Sequence, residues 1–424
     1  MTFLALAVVP AFLLVMGVPI FAVLIVATLG GIMLSTNPIQ AIHSAMFGSL
    51  DIFPLLAVPL FVYAGDIMSR GGIARRLIDL ILSLIGAVRG ALGIATIAAC
   101  EVFSVMSGSS VACVAAIGKT MIPSLRKNGY GEHFPVSLVT ATGVIDIITP
   151  PSITMIIYGI VAQQSVPQLF LAGFPAGILI GIALAIYVVW YARHKRIPIT
   201  APTERRSFRG ALKDATWSLF APVVIFGGIY GGLFTPTEAA GVACIYAIVV
   251  SVFIHREMTW RELWTITTDS AMLSGQILII VAAAGAFAWL ITTSGYPQQL
   301  VGYVDSLQLQ TWMLLLLINI ILLFVGSILE PPAAILLLTP LLTPIVYAAG
   351  VDPIHFGIIF TVNLAIGMFM PPFGLNLFAA HALFKTPLPV LYRGVIPFLF
   401  IYLAMLVLIT YVPAITLVPL SLLK

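Results

Sequence analysis

Three long stretches of the sequence contain no charged residue: 1–50, 147–192 and 394–423. Each stretch is longer than the ~20 residues that an α-helix needs to cross the ~30 Å hydrocarbon core of a bilayer. Only 8% of the 424 residues are charged, against ~25% in soluble domains. The chain is therefore expected to be an all-α polytopic membrane protein with about eleven to twelve membrane segments. A soluble enzyme, a disulfide-rich secreted module and a disordered chain are excluded.

The apolar stretches and the charged loops indicate how the chain crosses the membrane. Stretches such as 178–191 are apolar on every face, as lipid-embedded helices are, and lack the alternation of barrel strands. The first stretch, about 3–34, is expected to be a retained span rather than a cleaved signal peptide. The longest basic segment, 193–213, carries seven Lys or Arg residues against Glu204 alone, which predicts a cytoplasmic loop. We expect the lipid bilayer as a partner and no nucleic acid.

A pattern of Ser, Pro and Gly occurs twice in the sequence. The two copies are related by an offset of 221 residues, or 220 for the serines: Ser107 and Ser327, Pro123 and Pro344, Gly129 and Gly350, Pro150–Pro151 and Pro371–Pro372. Two such halves, separated by an odd number of spans, are inverted relative to each other, as in many secondary transporters. We therefore divide the chain into halves at 1–213 and 214–424. The alternative, that these residues only kink ordinary spans, does not explain the fixed offset.

The repeated pattern predicts a re-entrant hairpin and an interrupted helix in each half. The Ser/Gly run 107–110 stops a helix, and the apolar residues after it are too few to cross, which predicts a hairpin near 91–126. The first Pro pair removes backbone donors and frees carbonyls, which predicts a broken helix near 134–162. The second half is expected to have a hairpin near 327–346 and a broken helix near 356–380. Unwound backbone of this kind supplies oxygens for Na⁺, and half-helix N-termini favour an anionic substrate.

Four carboxylates lie in apolar surroundings, where ionisable groups mark functional sites by default. Asp146 is expected to bind a cation, carry a proton or hydrogen bond to a neighbouring kinked helix. Glu330 precedes a Pro pair at a predicted hairpin tip, which favours a site role. Glu238 is interpreted as a charge in the first turn of a helix, without a capping box. Glu101 has no partner that the sequence identifies.

Four strings of the sequence resemble the large membrane (M) subunit of tripartite ATP-independent periplasmic (TRAP) transporters. They are GLFTPTEAAGVA at 232–243, SGSSVACVAAIG at 107–118, PPSI followed by IYG at 150–159, and LDIFPLLAVP followed by AG at 50–65. The resemblance spans nearly the whole chain. It implies an elevator fold of the ion-transporter superfamily, with inverted repeats and two re-entrant hairpins, in the bacterial inner membrane.

The resemblance also implies the activity and its partners. Such a subunit takes part in sodium-coupled uptake of a small organic acid, for example a sialic acid or a C4-dicarboxylate. A periplasmic binding protein delivers the substrate, and a small four-helix membrane subunit, DctQ/SiaQ-like, braces the large one. That subunit is expected to be a separate protein. Sodium ions are the coupling ions, and no other cofactor or metal is expected.

Carried over position by position, the resemblance implies two sodium sites and a substrate site. The first sodium site would use carbonyl or hydroxyl oxygens of Ser104, Ser107, Asp146, Thr149 and Pro150. The second would use Gly326, Gly367 and Met370, and substrate contacts would come from Ser109, Ser110, Ser152, Glu330 and Asn363. The sequence departs from the family at Asp146, where Gly is usual, as at Gly367 in the second half. Proton coupling through Asp146 is therefore the alternative.

Two other classes of function compete with transport. An intramembrane enzyme would use the Ser107–Ser110 cluster with Glu101, but the sequence lacks a base and a nucleophile at a suitable spacing. A membrane scaffold without transport activity would leave the repeated helix breaks unexplained. No metal-ligand spacing and no Walker A motif occur in the sequence, so we expect the protein not to be an enzyme.

Overall fold

The computed structural model describes residues 9–10, 12–14, 16–33, 38–84, 88–199 and 208–421, and this part of the chain contains helices and no strand. The predicted first span lies partly outside it, as do residues 200–207 of the basic loop. In chain order the helices are α1 (Ile20–Met33), α2 (Gln40–Leu50), a 3-10 turn (Phe53–Leu56), α3 (Ala57–Arg70), α4 (Ile73–Leu84), α5 (Ala91–Ser107), α6 (Ser110–Lys127), α7 (Phe134–Thr142), α8 (Ile145–Ile148), α9 (Ile153–Val161), α10 (Val166–His194), α11 (Phe208–Tyr230), α12 (Pro236–Ile248) with a π-turn (Val249–Ile254), α13 (Trp260–Thr293), α14 (Tyr296–Ser306), α15 (Thr311–Ile328), α16 (Pro331–Ala348), α17 (Pro353–Gly367), α18 (Leu375–Phe384), α19 (Leu388–Tyr411) and α20 (Ala414–Ser421).

The length and composition of the helices fit a membrane protein. Among the described residues, nine helical segments are long and apolar enough to cross a membrane, and four shorter apolar helices accompany them. The shorter ones include α5, α17 and α18, which are arms of a hairpin or halves of a broken helix.

The two halves of the chain contain the same order of elements. A hairpin of α5 and α6 is followed by a helix broken into α7, α8 and α9, and then by the long α10. In the second half, a hairpin of α15 and α16 is followed by a helix broken into α17 and α18, and then by the long α19. This matches the offset seen in the Ser, Pro and Gly residues.

The two halves also pack across each other in the same way. The helix after the first break, α9, packs on α16, the second arm of the other half's hairpin. The helix after the second break, α18, packs on α6 of the first hairpin. The broken helices meet between the hairpins, where α17 contacts both α8 and α9. Every residue from Ile354 to Gly367 is buried, because these segments are apolar on every face and occupy the centre of the fold.

Two expectations differ from the structure. In the second half the hairpin consists of α15 and α16, so it covers 311–348, where a hairpin near 327–346 was expected. Glu238 does form a capping box: Thr235 and Glu238 bond to each other's backbone amides. Its structural role is therefore confirmed, but the absence of a capping box was wrong.

Charged residues pair at the ends of helices. The Glu257 carboxylate accepts hydrogen bonds of 2.7 Å from both Arg75 and Arg76 at the start of α4. Burial raises the pKa of Glu257, but the hydrogen bond and charge of Arg76 and the charge of Arg75 lower it further, so the pKa lies below its usual value. The carboxylate therefore stays ionised at neutral pH and holds α4 to the segment after the π-turn.

Candidate ion and substrate site

The first break lies between α8 and α9. Thr149 has extended backbone angles (φ −86°, ψ 128°) and ends α8, and Ser152 caps α9 by accepting from the Met155 amide. The Pro150–Pro151 bond between them is cis. Neither Pro has an N–H to donate, so backbone carbonyls of the preceding turn lack their helical partners. Thr149 and Ser152 are both buried, which places these carbonyls inside the protein rather than in lipid.

The tip of the first hairpin rests against this break. Gly108 joins α5 to α6 with a left-handed φ of 60°, a conformation that costs Gly nothing. A Cβ on Gly108 would lie 3.3 Å from the Ile153 side chain at the start of α9. Gly65 of α3 approaches the same tip, because a Cβ there would lie 2.5 Å from the Met106 carbonyl oxygen. The predicted hairpin tip and the predicted helix break are thus in contact.

A hydrogen bond joins the first hairpin to the second break. The Ser110 hydroxyl donates to Asn376 Oδ1 at 3.0 Å, and Asn376 lies in the first turn of α18, just after Pro371–Pro372. Asn376 is fully buried. It was not among the predicted site residues, although its place four residues after a Pro pair was a usable signal.

A buried carboxylate, Asp146, and a half-buried one, Glu101, flank the first break. Asp146, in α8, is fully buried, and neither of its carboxylate oxygens has a hydrogen-bond partner among the described residues. Glu101 accepts a 2.9 Å hydrogen bond from the Thr149 hydroxyl through Oε2. The partner that the sequence did not identify for Glu101 is therefore Thr149. Unpaired buried carboxylates are costly, so the Asp146 side chain requires a cation or a proton.

Ser104 and Ser107, the two serines predicted for the first sodium site, form different hydrogen bonds. Ser104 is fully buried and donates to the Glu101 carbonyl of its own helix at 2.6 Å. The Ser107 hydroxyl lies against the backbone of Ser109 at the hairpin tip. Both hydroxyl oxygens keep lone pairs, so their use as proton donors does not prevent cation binding.

Backbone contact defines the second half's counterpart of this site. A Cβ on Gly367 would lie 2.2 Å from the carbonyl carbon of Gly326. Only glycine permits two helices to approach this closely. The Met370 amide bonds to the Gly367 carbonyl at 3.2 Å just before the second Pro pair. Gly326, Gly367 and Met370, which the resemblance implied as one sodium site, are thus brought together.

Two predicted substrate residues lie apart from the first hairpin tip. Glu330 occupies the N-cap position of α16 at the tip of the second hairpin. Its side chain is exposed and makes no capping hydrogen bond. Asn363 is fully buried and donates to Asn319 Oδ1 of α15 at 2.7 Å and to the Ile359 carbonyl. Ser109, Ser110 and Ser152 lie together at the first tip and break. The structure therefore places three of the five predicted substrate residues around one point.

The arrangement does not resemble a hydrolytic site. The hydroxyls of Ser107, Ser109 and Ser110 contact backbone groups or Asn376, whereas Glu101 accepts from Thr149. No base therefore stands next to a serine nucleophile there. Within the described ranges, no group of three or more His, Cys, Asp or Glu residues could hold a metal ion. The groups brought together at the first hairpin tip and helix break are hydroxyls, backbone carbonyls and carboxylates.

Comparison with solved structures finds a protein with a similar fold. The chain is similar to the YdaH transporter of Alcanivorax borkumensis, with a TM-score of 0.70 at 13% identity, covering 96% of this chain and 98% of that one. At this identity the likeness concerns the fold alone. It agrees with an all-α polytopic protein.

Comparison with known sequences identifies the family of this chain. The family described as "Tripartite ATP-independent periplasmic transporter, DctM component" matches residues 6–415. The C4-dicarboxylate TRAP transporter large permease protein DctM of Pseudomonas aeruginosa is 40% identical over 91% of this chain and 90% of its own length. The isethionate TRAP transporter permease protein DctMQ of Oleidesulfovibrio alaskensis is 39% identical, over 96% of this chain but 64% of its own length. The ectoine/5-hydroxyectoine permease UehC of Ruegeria pomeroyi is 35% identical over 96% and 95%. The chain therefore belongs to the family of large membrane subunits, DctM, of TRAP transporters.

Proposed function

We propose that this chain imports a small organic anion by sodium-coupled secondary transport. It would act in the bacterial inner membrane with a separate small membrane subunit and a periplasmic binding protein. Family membership supports the class of transporter and both partners.

The observation that carries the cation-coupling proposal is the buried Asp146. Its side chain is fully buried, and neither carboxylate oxygen has a hydrogen-bond partner in the described part of the chain. It lies next to a helix break at which backbone carbonyls lack their helical partners. Neutral backbone oxygens with one carboxylate suit a hard monovalent cation. Gly326 and Gly367 supply a second break of similar construction, without a carboxylate. Two cation positions, one in each half, are the arrangement that these contacts support best.

The substrate class follows from the helix N-termini at the site. Helix α6 begins at Ser110, and α9 begins just after Ser152. The free N–H groups at helix N-termini attract anions. The names of the relatives include a C4-dicarboxylate and isethionate, both organic anions. No Lys or Arg lies within either Pro-Pro segment. We propose that serine hydroxyls, N–H groups and bound cations together neutralise the anion.

Movement in this proposal follows the elevator scheme. The hairpins and broken helices would move as one body, since α9 packs on α16 and α18 packs on α6. This body would slide past the helices of the surrounding frame, carrying substrate and cations across the bilayer. The close approach of Gly65 to the first hairpin tip marks one place where such surfaces would meet.

Uptake by proteoliposomes tests the proposal. The chain, its small membrane subunit and the binding protein are reconstituted, and accumulation of the binding protein's labelled ligand is followed with and without an inward Na⁺ gradient at fixed pH. We expect accumulation only with the gradient. Undiminished uptake in choline buffer would contradict sodium coupling.

Proton coupling through Asp146 is the second candidate, favoured by the same unpaired carboxylate. In this case a pH gradient alone drives uptake, and Asp146→Asn removes the pH dependence while leaving any sodium dependence unchanged. The same proteoliposomes distinguish the two.

A further inference from the structure

Glu101 is a half-buried residue whose carboxylate the two proposed sodium sites do not use. It lies on α5 one turn before Ser104, and none of the ion pairs found in the described ranges includes it. Its Oε2 accepts from the Thr149 hydroxyl, while its Oε1 is buried without a hydrogen-bond partner in the same part of the chain. Placing a carboxylate at membrane depth costs free energy, and a functional role would account for it.

Helix α10 leaves space for the Glu101–Thr149 pair. Gly177 and Gly181, one turn apart on α10, both face it. A Cβ on Gly181 would lie 2.6 Å from Glu101 Oε1, and one on Gly177 would lie 2.3 Å from Thr149 Oγ1. Any larger residue at either position would displace the pair. The fold therefore encloses the carboxylate and the hydroxyl together in a fitted space.

The hydrogen bond fixes the direction of the Thr149 hydroxyl. A hydroxyl has one proton and two lone pairs, and the proton of Thr149 points at Glu101. Its two lone pairs are then left to accept a hydrogen bond or to bind a cation beside the helix break at Pro150. Donation to a charged acceptor also polarises the hydroxyl and strengthens it as a ligand.

We propose that Glu101 is a positioning residue for the cation at the first break and acts through Thr149. Its carboxylate accepts the Thr149 proton and thereby holds the Thr149 oxygen as a ligand for the cation. This inference rests on the proposed function, because it requires a bound cation. It also predicts an asymmetry: among the described residues, the nearest atoms that a Cβ on Gly326 or Gly367 would meet belong to Asn363, Leu364, Ser327 and Gly326, and none is a carboxylate.

Sodium-dependent thermal stabilisation tests the inference without knowledge of the substrate. The chain, co-purified with its small subunit in lipid nanodiscs, is melted across a series of NaCl concentrations, with choline chloride keeping the ionic strength constant. The readout is the Na⁺ concentration that gives half of the maximal rise in melting temperature. Glu101→Gln keeps the size and an acceptor oxygen but removes the charge, and we expect it to raise this concentration about tenfold.

Variants of Thr149 separate positioning from simple packing. Thr149→Val should raise the Na⁺ concentration by a similar factor, and Glu101→Gln should add nothing further in that background. Thr149→Ser keeps the hydroxyl and should behave like the wild type. The matched control is Glu238→Gln, which alters a similar pair, Thr235 Oγ1 to Glu238 Oε2 at 2.8 Å, at the start of another helix. It should change the melting temperature without changing the Na⁺ dependence.

The outcomes distinguish this inference from the proposed function. If the wild type is stabilised by Na⁺ and Glu101→Gln has the same half-maximal concentration, Glu101 only packs and the inference is wrong. If Glu101→Gln and Thr149→Val have fully additive effects, Glu101 does not act through Thr149. A wild-type protein that Na⁺ does not stabilise would contradict sodium coupling itself, and the inference with it.

Discussion

At the scale of single residues, glycines and buried carboxylates determine what the site can be. Gly367 and Gly326 allow two backbones to touch, and Asp146 and Glu101 bring negative charge to the other half. The sequence predicted Asp146 as a site residue because a charge in an apolar stretch is visible in one sequence. It did not predict the Glu101–Thr149 pair, because 48 residues separate the two and only the tertiary fold brings them together.

Gly367 provides a direct test at this scale. Gly367→Ala would force a methyl group to within 2.2 Å of the Gly326 backbone, and overpacking of this kind costs about 1–3 kcal/mol. We expect a clear fall in melting temperature and weaker sodium dependence of uptake. Gly275→Ala is the control, because a Cβ there meets nothing within 4 Å. Equal melting temperatures for the two variants would contradict the packing described here.

At the scale of elements, the breaks were easier to predict than the arms. Pro150–Pro151 and Pro371–Pro372 interrupt helices because proline cannot donate a backbone hydrogen bond, so both broken helices were recognisable. The first arm of the second hairpin was not recognisable from the sequence. Its residues, Thr311–Ile328, form an apolar 18-residue helix, which composition cannot distinguish from a complete span. Only its packing against α17 shows that it belongs to the hairpin.

The bond between the first hairpin and the second broken helix can be measured. Ser110 donates to Asn376 across the two halves, and a neutral buried hydrogen bond contributes about 1 kcal/mol. A double-mutant cycle with Ser110→Ala and Asn376→Ala, followed by unfolding in mixed micelles, should give a coupling free energy of about that size. Ser110→Ala combined with Asn363→Ala should be additive. Additivity in both cycles would show that the tip and the break do not interact.

At the scale of the whole molecule, hydrogen bonds and ion pairs also tie the two halves together outside the site. Along the α3–α13 contact, Tyr63 bonds to Thr267 at 2.9 Å, Ser270 donates to Asp66 at 2.6 Å, and Arg70 pairs with Asp269.

The class of protein could be predicted from charge-free stretches alone, because the bilayer constrains composition strongly. The identity of the substrate could not, since the site residues near the first tip are hydroxyls and backbone groups that any small organic anion satisfies.

The central claim is that substrate movement through this chain is coupled to sodium bound at the two helix breaks. Simultaneous measurement of ²²Na⁺ and labelled substrate entering the same proteoliposomes tests it most directly. We predict that more than one Na⁺ enters with each substrate molecule, because each half supplies one position, and that Gly367→Ala lowers the ratio. Substrate accumulation with no associated ²²Na⁺ entry would contradict the account.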